Sequence, residues 1–493
     1  MNSQDLYAIL PQIGMVTLGM LLILIDLMIK PKRLLRPIAF IGLLSILVLN
    51  LYLWIDIDST KVTYAFTNSL VLDKFGLFFN SFFIIVVIFI IFISQDYIKS
   101  SSAKSEYYSL LIFSASGMML LISSVELISF YIALELTTLP VIALVAFNRD
   151  SESSESGVKF LILSAISSAL LLYGMVIFFG FTGSTLFIDI ANSISQDSIY
   201  NNKALLFASI LLISGFGFKI SAVPFHMWTP DVYDGAPMPI TTYLAIASKA
   251  AGFAILLRII YNIFYVNNIL IENWSEILIV LSILSMFLGN LIAIRQTNIK
   301  RLIAYSSISH TGFILIGIIS ILTMITENGV DYSLNSASAV VFYILGYSLT
   351  NLALFSTVTM ITNNINSNLI EDFSGISKLS PILAFTLSLA MISLIGLPPT
   401  IGFFSKAYIF NAAIDAELTW LMIIGVINTA LSSYYYLRIV KVLYLENPSK
   451  NTSISIKLNQ KLLVIFILAG LIIFGVFPTP LIDISNIVVN ILV

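Results

Sequence analysis

Long apolar runs separated by short polar connections account for nearly the whole chain. Taking about 20 apolar residues as the length that crosses a bilayer, fourteen runs qualify: 6–29, 37–55, 75–94, 107–124, 127–147, 157–181, 204–223, 239–264, 274–294, 302–325, 338–362, 381–412, 418–440 and 462–485. The pattern predicts an all-α polytopic membrane protein of about 14 transmembrane helices. The longest connections, 56–74, 182–203 and 441–461, are polar and too short to bury a core, so no soluble domain is expected. The first run lacks a small-residue cleavage site and is too long for a signal peptide, so it is read as a retained helix.

Basic residues orient these spans, because loops on the cytoplasmic side retain Lys and Arg. Alternate connections hold sixteen on one side (Lys30, Lys32, Arg33, Arg36, Lys99, Lys104, Arg149, Arg295, Lys300, Arg301, Lys378, Arg438, Lys441, Lys450, Lys457 and Lys461) and three on the other (Lys61, Lys74 and Lys203). The sixteen are placed in the cytoplasm and both termini outside.

Composition agrees with that picture and narrows the chemistry. Of 493 residues 58% are hydrophobic and only 10% charged, with a mean hydropathy of +1.00. The net charge of -2 offers no basic surface for nucleic acid. There is no cysteine, and His226 and His310 stand too far apart in sequence to suggest a metal motif. No GxGxxG or GxxxxGK[ST] stretch occurs, and TGST at 182–185 has no following lysine, so no nucleotide cradle is expected. No cofactor or metal is implied, and any redox chemistry is expected to belong to another chain.

Of the 24 basic residues, five remain within the spans: Lys159, Lys219, Lys249, Arg258 and Lys406. An ionisable group at membrane depth costs several kcal/mol unless paired or wetted, which makes each a functional candidate. Arg258, within about two turns of its helix end, is expected to snorkel to the interface. For Lys159, near the start of its span, the sequence leaves open a snorkelling or capping role and a deeper one. Lys219, Lys249 and Lys406 lie deeper. Among the acids, Asp26 and Glu126 fall at span ends, whereas Glu135 in ISFYIALELTTLPVIALVAF is mid-span and needs a partner. Which lysine it meets is not readable from spacing.

Two spans carry helix breakers. Span 7 is interrupted at Pro224, five residues after Lys219; span 12 is interrupted in SLIGLPPTIGFFSK, where Gly396, Pro398, Pro399 and Gly402 precede Lys406. Broken helices survive at membrane depth only where protein or a wet cavity satisfies the freed backbone groups. Interruptions at matching places in two halves point to inverted repeats. Spans 4–8 and 9–13 each hold an odd number of helices, so the second set must enter from the opposite side. The expected division is 1–106, an N-terminal three-helix segment; 107–264 and 265–441, two inverted five-helix repeats with broken helices 7 and 12; and 442–493, a loop and last helix. Ser164, Ser167 and Ser168, with Ser306, Ser307, Ser309 and His310, recur at helical spacing. Serines glue close-packed helices as readily as they line a wet seam; His310, titrating near neutrality in its unperturbed state, favours the seam.

KISAVPFHMWTPDVYDGAP, the following SKAAGFAILLR, VKFLILSAISSALLLYGM, QTNIKRLIAYSSISHTGF, GLPPTIGFFSKAYIF and SSYYYLRIVKVLY together resemble subunit N of the proton-pumping NADH-quinone oxidoreductase, respiratory complex I, one of its antiporter-like membrane subunits. The resemblance runs from about span 4 to span 13. WTPDVYDGAP differs from the WLPDAM motif of subunits L and M, Lys406 stands where M carries glutamate, and no room follows span 14 for the lateral helix of L. The departures are small, among them Met238 and Ser405.

The resemblance implies a row of protonatable groups near the membrane midplane: Glu135, Lys219, Lys249 and Lys406 as the relay, with Lys159, His310 and His226 supporting. It also implies proton translocation coupled to quinone reduction elsewhere in the complex, partnership with other complex I membrane subunits, and no redox centre, quinone site or nucleotide site on this chain. A Glu135–Lys219 pair at about 4 Å and an effective dielectric near 20 would be worth about 4 kcal/mol, more than the about 2.3 kcal/mol of moving one charge across 100 mV. Switching one such pair is therefore large enough to drive a proton uphill. Two other readings stand beside this one: a subunit of a multisubunit sodium/proton antiporter or of a related ferredoxin- or hydrogenase-linked complex, and a structural arm that transmits motion without conducting protons.

Overall fold

The computed structural model describes residues 3–28, 32–57, 62–99, 103–195, 203–263, 265, 268–327, 329–448, 454 and 456–492; Lys30, Lys61 and Lys450 of the charge count lie outside the described residues. Among these, thirteen helices are long and apolar enough to cross a membrane. They are Leu10–Met28, Lys32–Asp56, Lys74–Ile93, Lys104–Ser123, Leu127–Val145, Ser151–Thr182, Lys203–Ile220, Met238–Asn262, Leu270–Ile294, Ile299–Glu327, Val330–Ile365, Thr419–Leu445 and Leu458–Val476, which occupy the places of spans 1–11, 13 and 14. Span 12 is divided into Pro381–Ile395 and Ile401–Asp415, each too short to cross alone. The all-α architecture and the two breaks thus stand as the hydropathy pattern places them.

Capping residues fix several span ends. Asp73, Glu126 and Asp150 each accept a backbone N–H three residues on, from Gly76, Ser129 and Ser153, all at 2.7 Å, which satisfies donors that open every helix. Glu126, expected at an interface, is therefore a cap. Between spans 2 and 3 the connection is not wholly irregular, because Thr63–Ala65 pairs antiparallel with Leu70–Leu72.

The chain forms two compact units. The first comprises residues 1–220, 235–274 and 488–493. Its centre is span 8, buried along its whole length and packed on spans 4 and 7. The second comprises residues 221–234 and 275–487. Spans 10 and 11 are its core, buried nearly throughout, and span 11 packs against both halves of span 12. Polar groups on these central helices face protein and not lipid.

Arg258 corrects an expectation. Instead of snorkelling, it is enclosed in the first unit, where Nη1 and Nη2 meet Asp73 Oδ2 and Oδ1 at 2.8 and 2.9 Å and the guanidinium lies over the Phe75 ring. Neither side chain is more than 3% exposed. A bidentate carboxylate neutralises the charge more completely than a reach to the interface would. The partner, a loop residue distant in sequence, gave no periodic signal.

Candidate functional site

In the first unit the site is built at the end of span 7. The helix stops at Ile220, Ser221 takes a positive φ of 63°, and the chain bends through Pro224 before the short helix Trp228–Gly235 begins. Lys219 is the penultimate residue of span 7 and is buried. Its ammonium donates to Thr137 Oγ1 at 2.6 Å and Thr138 Oγ1 at 3.1 Å, both on span 5. Glu135 acts on Lys219 electrostatically, but among the described residues no carboxylate oxygen lies within 4 Å of Lys219 Nζ, and Glu135 Oε1 has no hydrogen-bond partner. The two threonine hydroxyls, and not the carboxylate, hold the ammonium directly. The close 4 Å pair considered from the sequence is thus not the arrangement present.

Lys249 is buried in the same unit, at the point where a π-helical turn, Leu244–Ser248, gives way to the α-helix Lys249–Asn262. Such turns recur at functional positions because they re-aim a side chain. Lys159 is elsewhere: its side chain is 45% exposed and pairs with Glu155, one turn earlier, at 2.8 Å. The nearby serines are mainly helical glue, with Ser164 bonded to the Leu161 carbonyl of its own helix and Ser167 to the Gly215 carbonyl of span 7.

In the second unit the break comes before the lysine. Gly396 ends the first half of span 12 at φ +88°, a conformation that suits glycine, and Thr400 caps the second half. A Cβ on Gly402 would lie 1.7 Å from the Ser393 carbonyl oxygen, so only glycine lets the two halves pass this closely. Lys406 donates to the Ile395 carbonyl, freed by the break, at 2.9 Å and to Thr429 Oγ1 at 3.3 Å. Its ammonium also lies 4.5 Å from the centre of the Phe313 ring, a cation–π position.

His310 of span 10 is held at both ring nitrogens, by Tyr343 Oη at 2.7 Å from Nδ1 and by Tyr436 Oη at 3.2 Å from Nε2. Tyr436 in turn hydrogen-bonds Ser306, and the adjacent Tyr435 donates to Asn290 Oδ1 at 3.0 Å. His226 sits in the turn after Pro224, where burial lowers its pKa and Nδ1 has no partner. The acids of WTPDVYDG have a mechanical task. Asp231 and Asp234 pair with Arg301 at 3.1 and 3.5 Å, while Asn298 and Lys300 bind the Asp234 side chain and backbone at 2.8 Å each, bolting the short helix to the start of span 10.

The structure therefore gathers Glu135 and Lys219 in one unit and His310 and Lys406 in the other, buries Lys249, and leaves Lys159 on an exposed face. Sequence reasoning missed Thr137, Thr138, Tyr343 and Tyr436. The adjacent threonines two residues after Glu135 were the one signal available for the first two. Among the described residues no group of three or more His, Asp or Glu side chains comes together to hold a metal ion.

Comparison with known proteins places the chain. Residues 124–432 match the family described as "NADH:quinone oxidoreductase/Mrp antiporter, TM". The NADH-quinone oxidoreductase subunit N of Desulfitobacterium hafniense is 41% identical over 371 residues, 74% of each chain. That of Trichlorobacter lovleyi is 35% identical over 488 residues, 98% of this chain and 96% of its own. Among solved structures, a chain of respiratory complex I from Thermus thermophilus with bound Aureothin superposes with a TM-score of 0.79 at 28% identity, covering 96% of this chain and 98% of that one.

Proposed function

Because the chain belongs to the NADH:quinone oxidoreductase/Mrp antiporter membrane family, within its subunit N group, we propose that it is a proton-translocating, non-redox membrane subunit of an NADH-quinone oxidoreductase. It lies in the inner membrane of a bacterium beside the other membrane subunits of the complex, with the redox chemistry on other chains. Residues 107–264 and 265–441 act as its two inverted repeats, flanked by 1–106 and 442–493.

The observation that carries this reading is the pair of buried lysines, each at a helix break inside a membrane span and each held by hydroxyl or carbonyl oxygens. A lysine so held takes up or releases a proton without leaving a polar atom orphaned, because threonine hydroxyls rotate to serve either form. Glu135 biases Lys219 through space; a small rotation of span 5 or of the side chain closes the distance and strengthens the bias. Lys249 and His310 are intermediate stations, Lys406 the last stop in this subunit, and Lys159 and His226 supporting groups at the edges.

The test is proton translocation and quinone reduction by the assembled complex in membrane vesicles. Lys219→Ala and Lys406→Ala are each expected to lower both rates at least tenfold at normal assembly. Translocation that survived the double substitution would show the subunit to be a mechanical arm and not a conductor.

A further inference from the structure

Spans 2 and 3, both in the first unit, are joined by a stacked cation at each end. At one end the Arg36 guanidinium of span 2 lies 5.0 Å from the centre of the Phe92 ring of span 3; at the other the Lys74 ammonium of span 3 lies 5.6 Å from that of the Trp54 ring of span 2. Most of span 3 is buried between these ends. Phe78, Phe82, Ile85, Phe89 and Phe92, three or four residues apart and so on one helix face, stay partly exposed. Phe40 of span 2 packs edge-on against Phe92 at 5.3 Å, which places the strip along the border of the two helices. Outward side chains of span 2, such as Ile41 and Val48, are each 66% exposed, as lipid-facing residues are. The strip is thus an apolar lane open to lipid, with Arg36 at its head.

The Arg36 end is the one that the charge bias assigns to the cytoplasm. In residues 26–36 and 94–106, which hold the connections there between spans 1 and 2 and spans 3 and 4, six Lys and Arg stand against three Asp and Glu. Asp26 is already engaged, accepting from Lys32 at 3.1 Å and from Ser105 at 2.8 Å. Arg36 acts electrostatically on Tyr108 of span 4, and Lys104 stands one helical turn before Tyr108 on the same face. Among the described residues no carboxylate oxygen lies within 4 Å of Arg36 or Lys104. A guanidinium laid on an aromatic ring keeps its edge N–H donors free, in the fork that suits a phosphate. We propose that this corner binds one anionic phospholipid, its phosphate on Arg36 and Lys104 and an acyl chain along the Phe78–Phe92 strip. Basic pockets between spans on the cytoplasmic side suit such headgroups. A zwitterionic headgroup would bring its own cation to a corner already in positive surplus. The Lys74 end offers no comparable surplus, because that whole side holds three basic residues. The inference is independent of the proton-relay reading, in which neither Arg36 nor Lys104 takes part.

The experiment places the assembled complex in phosphatidylcholine vesicles carrying a trace of phosphatidylglycerol with a photoactivatable acyl chain, or of phosphatidylcholine with the same chain. After illumination, mass spectrometry identifies the cross-linked peptides of this subunit. The phosphatidylglycerol probe is expected to label the peptide holding Phe82–Phe92 well above the phosphatidylcholine probe. Arg36→Gln and Lys104→Gln should each lower that labelling about fivefold. Arg36→Lys, which keeps the charge and loses the fork, should lower it less. Lys441→Gln, at an exposed basic residue of span 13, should leave it unchanged. Equal labelling by the two probes, or wild-type labelling in Lys104→Gln and both Arg36 variants, would overturn the headgroup site. An unlabelled strip in the wild-type complex would mean that a neighbouring protein covers it and would overturn the proposal as well. If Arg36→Gln fails to assemble, Arg36→Lys and Lys104→Gln decide the matter by the same readout.

Discussion

The two broken helices solve one problem in opposite ways. Lys219 precedes its break and meets side-chain hydroxyls, with a titratable carboxylate within electrostatic reach. Lys406 follows its break and meets the carbonyl end of the preceding half-helix, with no carboxylate within 4 Å among the described residues. A carboxylate can be neutralised or moved, whereas a carbonyl at a helix C-terminus is a fixed partial negative charge. The first lysine is therefore adjustable, and the second is set once by the fold. The structural ion pairs of the two units differ too: Asp73–Arg258 is enclosed, whereas the Arg301 pairs are about one-third exposed.

The largest effect should come from breaking the enclosed pair. Asp73→Ala leaves Arg258 charged and unpaired and removes the cap of span 3, so the first unit should lose about 3–5 kcal/mol, read as a lower thermal midpoint and poor assembly. Next, Lys406→Ala should cost at least tenfold in translocation and Lys406→Glu less, measured per assembled complex; equal losses would mean that the positive charge, and not titration, is needed. Glu135→Gln is expected to cost several-fold, and a wild-type rate there would erase the distinction between an adjustable lysine and a fixed one. Arg301→Gln should cost under about 1 kcal/mol, since half-wetted pairs contribute little. The smallest effect concerns His226. Its folded pKa lies below the unfolded value, so stability falls as pH drops through about 6.5 toward the folded pKa, because the unfolded chain binds the proton first. His226→Gln should flatten the thermal midpoint between pH 7.5 and 5.5. Orientation is checked by labelling: with no native cysteine, Ser151→Cys should react from the cytoplasmic side and Asn192→Cys from outside.

Depth in the membrane was legible because it is a one-dimensional property. Lys219, Lys249, Lys406 and Glu135 stand out in their apolar runs, and Pro and Gly mark both breaks. What a side chain touches is not one-dimensional. Asp73 read as a loop residue until the fold carried it to Arg258. Tyr343 and Tyr436 read as apolar filler, since an aromatic inside a span carries no mark of whether its hydroxyl is used. Lys159 was singled out with the other basic residues inside the spans, and it lies on an exposed face paired with Glu155 one turn earlier.

The clasp between Asp73 and Arg258 also sets a schedule. At about 5–20 residues per second, the arginine leaves the ribosome roughly 10–40 s after the aspartate 185 positions upstream, when span 3 is already in the membrane. A helix centred on a lysine and ending in an arginine enters lipid poorly by itself, at about 2.5–3.5 kcal/mol for each central charge. Span 8 thus arrives to a receptor made in advance, and its insertion becomes a docking event. Lys406 needs no such wait, because its carbonyl partner was synthesised only eleven residues before it.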